Sequence, residues 1–232
     1  YTNNPVSGAM RGFGIPQLAF AHESQMDEVA LMLKMDPFDI RMMNALKKGS
    51  LTATSQVLQN SVGIIETLRK VEPYWRKRSK KEDRAGFGLG CMYYGIGNTG
   101  VSNPANACLN ITVDGKIALH TGACEIGQGS DTTLVQILQE ALGLKIEDIV
   151  LVRGDTDTSK DAGSSSASRQ TYISGGAVFD AALKMRQYLD EKGFYKGRPI
   201  REIYASEADK KLLEHNGFFD PPTTPVDPET SK

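Results

Sequence analysis

The hydrophobic rhythm of the chain changes about a third of the way along. Up to residue 75 apolar residues recur three and four apart; from residue 86 stretches of alternation, the signature of strands, appear among further helical ones. Within residues 19–35, Phe20, Met26, Val29, Ala30 and Leu33 mark a helix. Asp36-Pro37 closes it and opens the next: an Asp accepts a backbone hydrogen bond as N-cap, and Pro suits the first helical position. That second helix is predicted over 37–48 with Gly49 as its stop, and a third over 62–75. The basic run RKRSKKEDR (76–84) reads as an exposed connection. Strands are predicted at 86–94, 107–113 and 116–121, the last two joined by an Asp114-Gly115 hairpin turn. A helix follows at 131–142, with Leu134, Ile137, Leu138 and Ala141 on one face and Gly143 as its stop. Then come a strand at 149–152, a long helix at 175–192 and a short one at 206–215. Segregated helices and antiparallel strands predict an α+β fold and not a doubly wound sheet. The division expected is a helical segment over 1–80 and an α+β segment over 81–232.

Composition excludes several classes. Hydrophobic residues make up 40% and charged residues 24%, as in soluble globular proteins, and the formal net charge is -1. Nothing there favours capture of nucleic acid or an anionic membrane. No apolar run approaches the roughly 18 residues of a spanning helix, and no signal peptide is visible, so a cytoplasmic protein is expected. Cys91, Cys108 and Cys124 form no CxxC pair and read as reduced, mostly buried thiols. His22, His120 and His215 are far apart and read as surface or locally bonded residues. Asp155, Asp157 and Asp161 lack Ca-loop spacing and read as turn formers.

The chemistry gathers in three loops. Residues 8–14, GAMRGFG, combine small residues with the charge of Arg11 and the flat face of Phe13. Residues 125–132, EIGQGSDT, lie between a strand and a helix, whose first amides favour negative charge. Residues 163–170, GSSSASRQ, offer four hydroxyls, an arginine and an amide to a polar, phosphorylated ligand. Singly, each has a plainer reading: a tight turn for a GxG, a linker for a serine run. No P-loop or strand-linked GxGxxG is present.

In this order, the three loops resemble the molybdopterin-binding large subunit of the xanthine dehydrogenase/aldehyde oxidase family. AMRGFGIPQ is similar to that family's loop near the molybdenum, EIGQG to its pterin-contacting loop, and SSSASRQ to the loop holding the cofactor's polar end. The tail PPTTPVDPET is similar to that of members acting on aromatic heterocycles or aromatic thioesters. The resemblance implies a molybdenum cofactor-binding domain with mixed or antiparallel strands and packed helices. It implies molybdopterin, in a cytosine dinucleotide form among the options, with molybdenum and no direct protein ligand to the metal. Arg11 and Gln128 would neighbour the metal, and Arg11 and Phe13 the substrate. Gly12, Gly127, Gln128, Gly129, Ser164, Ser165, Ser166, Ala167, Ser168, Arg169 and Gln170 would contact the cofactor. The implied reaction is oxidative hydroxylation of an aromatic N-heterocycle, purine- or nicotinate-like, or of an aldehyde.

The family's general base, a glutamate in a G-x-G-E-like loop, has no counterpart here. Glu202, Glu207, Glu214 and Glu229 sit in helical or proline-rich contexts. The isolated chain is therefore expected to be inactive. Both ends fall in loops, so a piece of a longer protein is expected, a cut piece rather than a natural split subunit. Its partners would be the remaining molybdenum-binding half and the iron–sulfur and FAD modules. The alternative is a scaffold that docks partners without chemistry; intact polar and glycine residues in all three loops argue against it.

Overall fold

A computed structural model of the chain describes residues 2–5, 8, 10–78, 86–97, 100–223 and 229. These residues form six helices and one four-stranded sheet. They divide between two compact units, Tyr1–Tyr94 with Val226–Lys232, and Gly95–Pro225.

The first unit is helical: α1 (Ile15–Met32), α2 (Pro37–Asn44) and α3 (Ile64–Lys77). Helix α1 starts after Gly14 at φ 86° and ends where Lys34 turns left-handed at φ 54°. Ala30 is buried and Met26 half-buried, but Phe20, Val29 and Leu33 are exposed, so the apolar spacing marks the helix without marking a packed face. Asp36 caps α2 as expected, accepting from the Phe38 amide at 2.8 Å. It also accepts from Trp75 Nε1 at 2.7 Å and Arg78 Nη2 at 2.9 Å, which ties α2 to the end of α3. Partial burial opposes ionisation of this carboxyl, yet the bonds from Arg78, Phe38 and Trp75 outweigh it and hold the pKa at about 2. Helix α2 stops four residues short of the expected end: Asn44 Nδ2 donates to the Ile40 carbonyl, and Ala45 turns extended. Arg41, buried on α2, donates to Glu23 Oε2 at 2.5 Å and to the Pro37 and Glu23 carbonyls. Of the basic run, Arg76 pairs with Asp39 and Glu72 and Arg78 with Asp36; residues 79–84 lie outside the described residues.

The second unit is α+β. Strands β1 (Ala105–Ile111), β2 (Ile117–Thr121), β3 (Ile149–Arg153) and β4 (Glu214–Phe219) lie in the order β3-β2-β1-β4. The hairpin at Asp114-Gly115 forms, and β1 pairs antiparallel with both β2 and β4. The sheet is mixed, because β3 runs parallel to β2, reached through α4 (Ser130–Leu142). A parallel neighbour demands such a crossover, so β2-α4-β3 is a βαβ step. The core lies between α4, α5 (Gly175–Glu191) and the sheet face carrying Ala105, Ala107, Leu109, Ile111, Ile117 and Leu119. At Gly217 a Cβ would lie 2.0 Å from the Ala177 carbonyl, so only glycine lets α5 come this close to β4.

Two expectations fail. Residues 206–215 are not a helix: α6 (Ile200–Ser206) ends there, a 3₁₀ turn follows at Lys210–Leu213, and β4 begins at Glu214. An edge strand with alternate residues exposed carries little local signal, and its pairing with β1 over a hundred residues away decides the outcome. Residues 86–94 form no strand, since their glycine-rich pattern finds no neighbour to pair with.

Candidate cofactor-binding site

Two of the three loops lie side by side, and strand direction explains why. Because β2 and β3 are parallel neighbours, the loops leaving their carboxyl ends emerge at the same end of the sheet, where open sheets commonly bind ligands. Residues 122–129 follow β2 and residues 154–169 follow β3. Ser165 Oγ donates to the Cys124 carbonyl at 2.8 Å, and Arg153 pairs with Asp131 at 2.6 Å. A Cβ at Gly122 would lie 2.5 Å from the Lys160 carbonyl. The loops are packed backbone to backbone.

In the first of them, the Asp131 amide in the first turn of α4 and the Gly127 and Gly129 amides ahead of it are already occupied. The Glu125 carboxylate accepts from Gly127 at 2.6 Å and Gly129 at 3.0 Å through one oxygen. Its other oxygen accepts from the Asp131 amide at 3.1 Å and the Ser130 hydroxyl at 3.3 Å. The bonds from Gly129, Asp131 and Gly127 hold its carboxyl down at about 2. These amides, expected to meet a ligand, are thus taken by Glu125, to which residue type alone gives no role. The signal was a Glu two and four residues ahead of the glycines whose amides it binds. Gln128, half-buried, accepts from the Ile126 amide and donates to the Cys124 carbonyl and Ser130 Oγ.

In the serine loop, Arg169 is 1% exposed. It donates from Nε to Asn103 Oδ1 at 2.7 Å, from Nη1 to the Ala162 and Ser164 carbonyls, and from Nη2 to the Pro104 carbonyl. Burial away from solvent lowers its pKa. The guanidinium thus braces the loop from beneath and presents no fork at its surface. Gln170, also buried, donates to Ser165 Oγ at 3.0 Å and accepts from Ser174 Oγ. Ala167 and Ser168 both hold left-handed backbone, φ 49° and 56°, and the Ala167 carbonyl accepts from the Gly97 amide. Such strain in non-glycine residues persists only where surroundings enforce it, and here the braces do. A π-helical turn, Gln170–Ser174, then feeds α5. Ser164 and Ser168 are exposed, and Ser164 and Ser166 share one hydrogen bond at 2.9 Å. Hydroxyls with two acceptor sites and one donor each retain capacity for a polar ligand. The outer surface of this loop fits a phosphorylated group.

The loop 8–14 belongs to the helical unit; Ala9 lies outside the described residues. Gly12, Phe13 and Gly14 are consecutively left-handed, φ 99°, 48° and 86°. This turn leaves the Phe13 ring 61% exposed, and Arg11 is exposed with no hydrogen bond or ion pair among the described residues. A flat ring and a free cation are thereby offered outward.

The remaining sequence candidates are structural. Asp155 and Asp161 accept from the amides two residues ahead, as turn formers do. His120 bonds Asn110, and His215 lies against Tyr188. The cysteines are free; Cys108 is buried, but Cys124 is exposed beside the cofactor loop, contrary to expectation. Among the described residues no three His, Cys, Asp or Glu cluster to hold a metal, and no helix is long and apolar enough to cross a membrane. In the tail, residues 224–228 and 230 lie outside the described residues.

Comparison with known proteins places the chain. Residues 63–230 match one family of molybdopterin cofactor-binding domains, and residues 1–45 match a second of the same description. The chain belongs to the molybdopterin cofactor-binding domains of the xanthine dehydrogenase and aldehyde oxidoreductase type. It is 36% identical to the xanthine dehydrogenase molybdenum-binding subunit of Escherichia coli O157:H7 over 199 residues, which is 82% of this chain and 26% of that subunit. Over 70 residues, 30% of this chain and 16% of the relative, it is 61% identical to the nicotinate dehydrogenase large molybdopterin subunit of Eubacterium barkeri. Its fold matches the aldehyde oxidoreductase of Desulfovibrio gigas with a TM-score of 0.73 at 29% identity, covering 91% of this chain and 24% of that one. The chain thus spans about a quarter of the E. coli and D. gigas proteins it matches.

Proposed function

We propose that this chain is the part of a molybdenum hydroxylase that grips the molybdopterin cofactor, in an enzyme that oxidatively hydroxylates an aromatic N-heterocycle or an aldehyde. One observation carries the reading: loops 122–129 and 154–169, bonded to each other, leave the ends of neighbouring parallel strands with hydroxyls still open. Ser164, Ser166 and Ser168 would receive the cofactor's polar end, whether a phosphate or a cytosine dinucleotide. Ser165, Ala167, Arg169 and Gln170 hold that surface in shape. Gly127, Gln128 and Gly129 would meet the pterin, with Gly12 near it and Gln128 and Arg11 beside the metal. Phe13 and Arg11 would face the substrate, a flat ring stacking on Phe13. The 61% identity to a nicotinate dehydrogenase subunit favours the ring branch.

When bound, the cofactor supplies a metal that activates oxygen for transfer and accepts two electrons. This chain's residues bind and orient; the general base, the other half of the molybdenum region, and the iron–sulfur and FAD modules come from elsewhere. The chain alone is expected to turn over no substrate. The deciding experiment is to isolate the native protein with its partners from its own host and measure its metals. About one molybdenum per chain, with iron on partner chains, is the expected result. An intact complex without molybdenum would sink the reading and favour a scaffold.

A further inference from the structure

The Glu125 carboxylate stands at the centre of the cofactor loop without a place among the proposed cofactor contacts. It takes up the amides of Gly127, Gly129 and Asp131 and the Ser130 hydroxyl. The Asp131 amide is one of the donors that an anion at a helix N-terminus would use, and the Gly127 and Gly129 amides lie just ahead of it. Gly127 and Gly129 are left-handed at φ 98° and 86°, so the turn that aims these amides inward depends on both glycines. Gln128 sits between them, its side chain bonded to Ile126, Cys124 and Ser130 of the same small loop. Ser130 receives both networks: its hydroxyl donates to Glu125 and accepts from Gln128.

We infer that Glu125 is the positioning residue of this loop, an internal anion that holds residues 124–130 in their binding shape before any cofactor arrives. The inference rests on the cofactor reading above. Its carboxyl stays ionised throughout the ordinary pH range, so the brace does not come and go with pH. A glutamine in its place keeps an oxygen for Gly127 and Gly129, but its amide group would face the Asp131 N–H, donor against donor. With that bond gone, the loop loses its hold on the helix, and Gln128 loses its fixed neighbour Ser130.

The test uses the full-length protein from its own host, as wild type and as Glu125→Gln. Hydrogen exchange of the 124–131 segment is followed on cofactor-stripped protein, and molybdenum and pterin are measured on the protein as purified. In stripped wild type the Gly127, Gly129 and Asp131 amides should be protected already. In the variant the exchange of the Asp131 amide, whose acceptor is lost, should rise by at least about tenfold with the rest of the molecule unchanged. Molybdenum and pterin content should fall together, and the paramagnetic spectrum of the molybdenum that does load should change. Unprotected amides in stripped wild type overturn the inference without reference to any variant. So does a variant whose exchange or whose cofactor content stays at the wild-type value. A wild type that holds no molybdenum defeats the cofactor reading instead, while the exchange data still decide whether Glu125 holds the loop.

Discussion

Replacing Arg169 with lysine keeps the charge and removes the fork, which separates the two contributions of this side chain. The guanidinium reaches acceptors in three directions: Asn103 Oδ1, the Ala162 and Ser164 carbonyls, and the Pro104 carbonyl. A lysine ammonium is a single point on a flexible stem and can serve no more than about two of these. At least two acceptors beneath the loop then lose a charged donor, each worth about 1.5–3 kcal/mol. The expected loss is roughly 3–6 kcal/mol, a large share of the 5–15 kcal/mol typical of a folded domain. With a urea m-value of about 2–3 kcal/mol/M for a protein of this size, the midpoint should fall by about 1–3 M at unchanged slope. Equilibrium urea unfolding, followed by far-UV circular dichroism, measures this. A midpoint moved by less than about 0.3 M would show that charge alone suffices and that bracing of the serine loop has been misread.

Other outcomes follow from the same geometry. The Asp36 carboxyl sits at about 2 in the folded chain against an ordinary 3.8. A depressed pKa contributes stability that is full above the unfolded value and lost as pH falls through the folded one. Between pH 4 and 2 the wild type should therefore lose about 1–2 kcal/mol that Asp36→Asn does not, read by urea titrations at each pH. Phe13→Gly relieves a left-handed residue but adds unfolded-state freedom, so the melting temperature should move by no more than about 3 °C. In the loaded enzyme the same change should raise KM for ring substrates roughly threefold to tenfold; an unchanged KM would remove Phe13 from substrate contact. With an alkylating reagent at neutral pH, Cys124 should react first and Cys108, buried and with its thiol pushed up to about 12, last, as peptide mass spectrometry would show.

Local chemistry made much of this molecule legible in advance. The Asp36-Pro37 start of α2, the Asp114-Gly115 hairpin and the Gly143 stop of α4 each depend on a few adjacent residues, and each forms. What escaped depended on distant pairing. Strand β4 is stabilised by β1, and its own residues carry no local pattern that marks a strand. The parallel pairing of β2 with β3 was equally hidden, and with it the reason why two loops meet. The site showed the same split. Its serines, glycines and Gln128 stand out as residue types, whereas Arg169 as a brace and Glu125 as an internal anion are visible only once burial and bond directions are known.

The parallel step β2-α4-β3 also separates what can vary from what cannot. Its register is set by five paired positions and by a helix of 13 residues that must span the sheet and return. A residue added within α4 would rotate its Leu134–Leu138 face off the core by about 100°. A residue added in 154–158 lengthens a surface connection, and loop closure grows only slowly with length. Related chains can therefore be expected to keep the spacing from β2 through β3 fixed and to differ in the length of the segment that follows. An engineer seeking room for a larger ligand would do best to insert residues there.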